Sequence, residues 1–422
     1  MSGKTEGLLR IAGRMLSASF LTIALAGAAL AQQPLKIGFG MALTGALAGQ
    51  GKPALIAMEI WRDDVNTKGG ILGRKVEFVH YDDQTSPATV PSIYTKLLDV
   101  DKVDLVVSGY GTNVIAPVMP IMMQRKLTFM GLFGLNVNSK FKYERYFQIM
   151  PAGPDPSIGW SHGFFDAAMG LSPKPTTIAL VGADAEYPHL ALEGARTHAK
   201  KAGLKVVYDK TYPPATVDFS PILRAIQATH PDLVYVASYP PDSAGMVRAA
   251  NEVGLKARMF GGGMVGPQFA ALKTQLGSLL NGVVNYEFYV PDLNRQFPAL
   301  QIFLAKYQAR AAKEGVDPLG FYLPPYAYAM MQVLEQAIKA VGSLDQAKLA
   351  DYIHKAEFDT FVGTVRFAQN GEWAQSRVIM TQYHSIAGND IGQFREPGKV
   401  TVLWPKEYRT GAVKAPFHEN RK

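Results

Sequence analysis

Short apolar runs alternate along this chain with longer stretches whose apolar positions recur at the three- and four-residue spacing of a helix face. Leu35-Lys36-Ile37-Gly38-Phe39-Gly40 opens the series as a short run closed by glycines, the pattern of a buried parallel strand. Pro53 stands where a first helical turn tolerates it, and Leu55, Met58, Trp61 and Val65 then form one apolar stripe. Gly69-Gly70 ends that helix, because glycine enters the left-handed region without steric cost. A second strand runs from Gly73 through Val79 and stops at Asp82-Asp83.

The alternation continues. Strands are predicted at 103–108, 127–130 and 146–150, and Pro117 and Pro120 shorten or kink the helix after the first. Pro151, Pro154 and Pro156 mark a passage to a second series. There the pattern predicts helices at 157–170, 189–202, 219–229 and 244–253, and strands at 177–181, 206–209, 233–237 and 258–261. A second passage falls near 282–291. Helices follow at 298–314, 325–341 and 346–356, then strands at 365–367, 378–383 and 400–403, with an Asn370-Gly371 turn between the first two of these. Alternating strands and helices imply parallel sheets covered on both faces. The polar stretch after Trp404 is expected to be poorly ordered.

The N-terminus changes the reading of length. Lys4, Arg10 and Arg14 precede an uncharged apolar stretch from Met15 to Leu30, and Ala29-Leu30-Ala31 has the form of a signal-peptidase site. A mature chain starting at Gln32 is expected, without a lipid anchor because no cysteine follows the apolar stretch. About 390 residues remain, too many for one core, so two domains are expected. Losing Lys4, Arg10, Arg14 and Glu6 lowers the net charge from +8 to +6, and the excess is spread without a block of like charge. Nucleic-acid binding, which calls for clustered bases and a recognisable motif, is therefore not expected. With no cysteine, disulfides, thiolate metal sites and a cysteine nucleophile are excluded.

The motifs speak against catalysis. Gly38 and Gly40 suggest a dinucleotide loop, but Leu43 stands where its third glycine belongs and Asp82 comes about 20 residues too late. No nucleophile elbow, zinc-protease motif or phosphate-binding Walker loop is present, and the eight histidines show no metal-ligand spacing. Asp82 and Asp83 suit turn hydrogen bonds near Ser86. Tyr110-Gly111-Thr112-Asn113 differs: it joins the end of a predicted strand to the start of a helix, where open α/β sheets bind ligands. Backbone N–H groups and the Thr112 hydroxyl there favour an anion.

Asn66-Thr67-Lys68-Gly69-Gly70-Ile71-Leu72-Gly73-Arg74, followed by Tyr81-Asp82-Asp83, resembles the branched-chain amino-acid binding proteins of bacterial ABC importers, with later segments in register to about residue 385. The resemblance implies the type I periplasmic binding protein fold: two Rossmann-like α/β lobes with parallel sheets and three interlobe crossings. It divides the chain into a signal peptide (1–31), lobe one (32–152 with 285–363), lobe two (153–284 with 364–405) and a C-terminal tail (406–422). It implies a monomer that binds a small-molecule ligand without a cofactor and docks on an ABC permease in the inner membrane. A periplasmic sensor of the same fold and a secreted α/β enzyme are the alternatives.

In the family frame the ligand-binding positions are Gln50, Tyr110, Thr112, Asn113, Phe133, Gly134, Tyr187, Tyr239 and Met264. The Thr112 loop would hold a ligand carboxylate, and Tyr187 and Tyr239 would supply aromatic walls. Two departures stand out. Gly263 falls where amino-acid binders place an acid for the ligand ammonium, and Leu135 where they place a hydroxyl residue. A buried ammonium without a counter-charge is costly. The expected ligand is therefore an aromatic or aliphatic carboxylate or amide before an amino acid.

Overall fold

The structure, a computed structural model, describes residues 33–417 and 419. The signal peptide and its cleavage site lie outside the described residues.

Five strands make the first sheet: β1 (Leu35–Met41), β2 (Val76–Asp82), β3 (Leu105–Tyr110), β4 (Phe129–Leu132) and β5 (Tyr146–Gln148). Their order is β2-β1-β3-β4-β5, parallel throughout. The second sheet takes β6 (Thr177–Ala183), β7 (Lys205–Tyr212), β8 (Leu233–Ser238), β9 (Met259–Met264) and β10 (Val284–Glu287). A small hairpin of β11 (Phe358–Thr360) and β12 (Gly363–Val365) stands apart. Two late strands, β13 (Ile379–Tyr383) and β14 (Val400–Trp404), complete the second sheet in the order β14-β13-β10-β9-β8-β6-β7. Each sheet with its helices is called a lobe below.

The motif at 66–74 has a packing reason. The Asn66 side chain clamps Val76, accepting from its N–H at 2.7 Å and donating to its carbonyl at 2.9 Å. Gly70 has φ +84°, and a Cβ there would lie 1.9 Å from the Arg74 carbonyl oxygen, so only glycine fits. Arg74 pairs with Asp104 at 2.8 Å, and Asp104 also accepts from the Lys36 N–H. The turn thus fixes helix 48–67 against β1 and β2. Asp82 caps the neighbouring loops, accepting from the N–H groups of Leu43, Thr44 and Gln84, and Asp83 accepts from Thr85 N–H.

Four expectations change. Helix 48–67 begins before Pro53, because Gln50 and Gly51 donate to the Leu47 carbonyl and close an earlier turn. The second sheet is mixed: β13 runs antiparallel to both β10 and β14. β10 belongs to that sheet through Gly261 and Gly262 on one side and β13 on the other, so the chain leaves lobe two after Glu287 and not at 285. The C-terminal stretch is packed. Phe417 is fully buried with its ring 5.0 Å from that of Phe260, its N–H donates to the Ala257 carbonyl, and Gln382 brackets Lys414 with two hydrogen bonds.

The break in the helix after β3 is as expected: Thr112–Ile115, a 3-10 turn at Ala116–Val118, then Met119–Arg125. Segments near 150 and 376 run side by side between the lobes. Ala152 bridges Ser376, Arg377 N–H donates to the Pro151 carbonyl, and Gln148 N–H to that of Gly371.

Candidate functional site

The carboxyl ends of parallel strands from both sheets meet across a cleft, as open α/β folds arrange for ligands. A narrow cavity of about 30 Å³ lies there. Lobe one contributes Tyr110 at the end of β3, Thr112 at the start of helix 112–115, Phe133 after β4, and Leu47, Leu135 and Met150. Lobe two contributes Trp160 from helix 156–169, Tyr187 from helix 186–201, Tyr239 after β8, Val265 after β9, and Tyr286 in β10. Tyr322, just before helix 323–341, closes the wall.

The wall is aromatic and uncharged. Trp160 packs on Tyr286 with ring centroids 4.3 Å apart and meets Tyr187 edge-on at 5.9 Å. Phe133 stands 5.3 Å from Tyr322, and Tyr187 is 5.7 Å from Tyr239. Burial pushes the phenols of Tyr110, Tyr187, Tyr239, Tyr286 and Tyr322 above their ordinary range, so all five keep their protons.

Several polar groups already have partners. The Tyr110 and Tyr322 hydroxyls lie 3.1 Å apart, and Tyr187 donates to the Gly263 carbonyl at 2.7 Å. Thr112 Oγ1 accepts from Leu135 N–H at 3.0 Å, which leaves its own proton free to donate.

Five of the expected site residues come together in this wall: Tyr110, Thr112, Phe133, Tyr187 and Tyr239. Four stand outside it. The Asn113 side chain accepts from the Tyr239 hydroxyl. Gln50 donates to the Gln268 carbonyl and to Asp317 Oδ2, both at 2.9 Å, farther out in the cleft. Gly134 offers its carbonyl to Gln148, and Met264 is fully buried at the end of β9. Leu135 lines the cavity. Gly263 does not present a side-chain position to it: a Cβ there would lie 2.9 Å from the Tyr235 hydroxyl. The absence of an acid at 263 therefore says little, and the uncharged wall carries that argument instead.

Sequence reasoning missed Trp160, Tyr286 and Tyr322. The signal available was the aromatic density of Tyr286-Glu287-Phe288-Tyr289 within an expected interlobe passage. Among the described residues, no group of three or more His, Cys, Asp or Glu could hold a metal, and no helix is long and apolar enough to cross a membrane.

Residues 34–388 match the family described as periplasmic binding protein. The chain belongs to that family. This binding protein is 26% identical over 385 residues to the leucine-, isoleucine-, valine-, threonine- and alanine-binding protein of Pseudomonas aeruginosa, covering 88% of the chain and 96% of the relative. Its fold is that of a leucine-binding protein from Thermotoga maritima, with TM-score 0.72, 19% identity, and 87% and 97% of the two chains covered. It is also that of an ABC-transporter solute-binding protein from R. palustris in complex with benzoate, with TM-score 0.70, 19% identity, and 88% and 95% covered. These likenesses establish the two-lobed type I architecture.

Proposed function

We propose that this chain is the periplasmic solute-binding component of an ABC importer and that it captures a small aromatic or aliphatic carboxylate, or an amide, between its lobes. The uncharged aromatic cavity carries the reading. An apolar ligand body gains from burial against Phe133, Trp160 and Tyr187. A carboxylate meets the free Thr112 proton and the opening N–H groups of helix 112–115. An ammonium has no anionic partner in the wall, which disfavours amino acids. Solved relatives support the class, since one holds benzoate and another 4-hydroxybenzoate.

The protein binds and releases without chemistry, as a monomer and without nucleic acid, and hands its ligand to a membrane permease. Export ends with cleavage after Ala31, which N-terminal sequencing of the mature protein checks. Mass spectrometry of ligand retained by native protein, followed by calorimetry with amino acids and their deaminated analogues, tests the ligand class. Tighter binding of the amino acid in each pair would overturn the carboxylate reading. A chemically converted product recovered in stoichiometric amount would overturn binding without turnover.

A further inference from the structure

A second cavity, of about 430 Å³, is lined by the hairpin β11–β12 with its flanks and by segment 373–377, and shares no residue with the cleft wall. Its polar lining is rich in donors: Thr364, Arg366, Trp373, Gln375 and Arg377 stand against one carboxylate, that of Glu357. Arg377 is held in place before anything binds. It donates to the Val362 and Thr364 carbonyls at 2.8 Å, and its guanidinium lies 5.1 Å from the Trp373 ring centroid. Gly363 makes room for it, since a Cβ there would lie 2.7 Å from Arg377 Nη1.

The lining lacks an anion. Among the described residues no carboxylate pairs with Arg377, although it is half-buried, and a cation taken from water without a counter-charge is costly. Arg366 reaches Glu357 only at 3.8 Å, and both side chains are exposed, so that pair is weak and Arg366 stays available. Trp373 gives an independent sign. Its side chain is 2% exposed, and its Nε1 is buried without a hydrogen-bond partner. An indole N–H only donates, so the missing group is an acceptor. Glu372, next to it, does not supply the charge, because burial holds its carboxyl well above its ordinary range and favours the neutral form. A carboxylate or phosphate group answers these donors, since a guanidinium fork matches two oxygens at once.

We propose that this cavity is a second binding site, separate from the cleft, for a small molecule whose carboxylate or phosphate group is gripped by Arg377 and Arg366. The site adjoins an interlobe passage: Arg377 N–H donates to the Pro151 carbonyl, and Ser376 bridges Ala152. An anion there steadies that passage in the arrangement seen here without entering the ligand cleft.

Equilibrium dialysis of the full mature chain against inorganic phosphate and against succinate tests this, at one ionic strength set with sodium chloride. A single saturable site is expected for at least one of the two; phosphate alone identifies a phosphate group, succinate alone a carboxylate. Arg366→Gln, at an exposed position, should weaken that binding about tenfold or more, the value of a hydrogen bond to a charged group. Arg377→Lys keeps the charge, loses the fork and should weaken it as well. Thr112→Ala, in the cleft, should leave it unchanged. Melting of each variant without added anion separates lost binding from lost folding, and Arg366→Gln decides alone if Arg377→Lys does not fold. No saturable binding of either anion would overturn the proposal, and so would binding that survives the arginine variants. Binding lost in Thr112→Ala instead would put the anion in the cleft and overturn it equally.

Discussion

The Tyr239 hydroxyl donates to Asn113 Oδ1 at 2.8 Å, joining lobe two to lobe one beside the cavity. It is a hydrogen bond that exists only when the lobes are together. Hinge closure around a ligand is the standard motion of such two-lobed receptors, so this pair acts as a latch. Tyr239→Phe or Asn113→Ala should speed ligand release and weaken binding by about 0.5–1.5 kcal/mol. The double variant should lose no more than either single one, because both remove the same bond. Stopped-flow dissociation rates that simply multiply in the double variant would rule out the latch.

Thr112 has a different task. Its oxygen is occupied by Leu135 N–H, and its proton is left for the ligand. Thr112→Ala should cost about 1.5–3 kcal/mol of carboxylate binding, the range for a hydrogen bond to a charged group. Thr112→Ser keeps the hydroxyl and should recover most of the loss. Calorimetry showing Ser no better than Ala would remove the hydroxyl from the binding account.

Burial raises Asp83 to about 6, with Asp82 adding a smaller push in the same direction. Its Oδ2 is buried without a partner. A raised carboxyl destabilises the folded state when both states are ionised, and the penalty vanishes as pH falls from about 6 to the unfolded value near 3.9. Asp83→Asn can keep the bond from Thr85 N–H without the charge. It should stabilise the protein by about 2–3 kcal/mol at pH 8, with the gain fading to nothing near pH 4. The difference between variant and parent is the right readout, because His80, His198 and His384 are held below their ordinary range by burial. Those histidines lose stability as pH falls through 6 and push the parent curve the other way. A gain that does not change with pH in denaturant melts would contradict the assignment.

Gly371 sits between the lobes with φ +77°, and a Cβ there would lie 1.8 Å from the Tyr146 carbonyl oxygen. Its own carbonyl accepts from Gln148 N–H. Gly371→Ala combines a left-handed conformation with a clash against backbone, so a loss of several kcal/mol is expected, on the order of 3. Thermal melting of the variant close to the parent's would show that the segment yields more easily than its packing implies.

Phe417 should matter although it lies almost at the end of the chain. Its ring is fully buried against Phe260. Phe417→Ala should lower stability by about 3 kcal/mol, at the low end for a core Phe because terminal segments can relax around the gap. A change within about 0.5 kcal/mol, typical of surface positions, would mean the packed tail contributes little.

Much of the fold was legible because its signals are local. Strands such as 35–40 and 233–237 are continuous apolar runs, and Gly69-Gly70 and the Pro117/Pro120 pair punctuate helices by backbone chemistry alone. What failed depended on distant partners. The antiparallel direction of β13 is set by β10, nearly a hundred residues away in sequence. The order of the tail is set by Phe260 and Gln382, which no local pattern announces.

The site divides in the same way. Tyr110, Thr112, Tyr187 and Tyr239 follow strand ends, so position along a βα unit places them. Trp160 is inside a helix and reads as core, and Tyr322 precedes a helix far along the chain. Only the meeting of two sheets turns them into a wall. Gln50 and Asn113 lie outside the wall, and each spends its side chain on a bond to the opposite lobe or to the residues beside it.

The four tryptophans also make the molecule its own optical reporter. Trp61 is committed to Glu335 inside lobe one, and Trp404 lies beside His162 on lobe two. Trp160 looks into the cavity, and Trp373 lies in the connecting segment under the Arg377 guanidinium. An indole in the wall of a ligand cleft changes its emission when the cleft fills, without any label. Trp160→Phe should silence that signal, so occupancy can be followed in the unmodified protein by light alone.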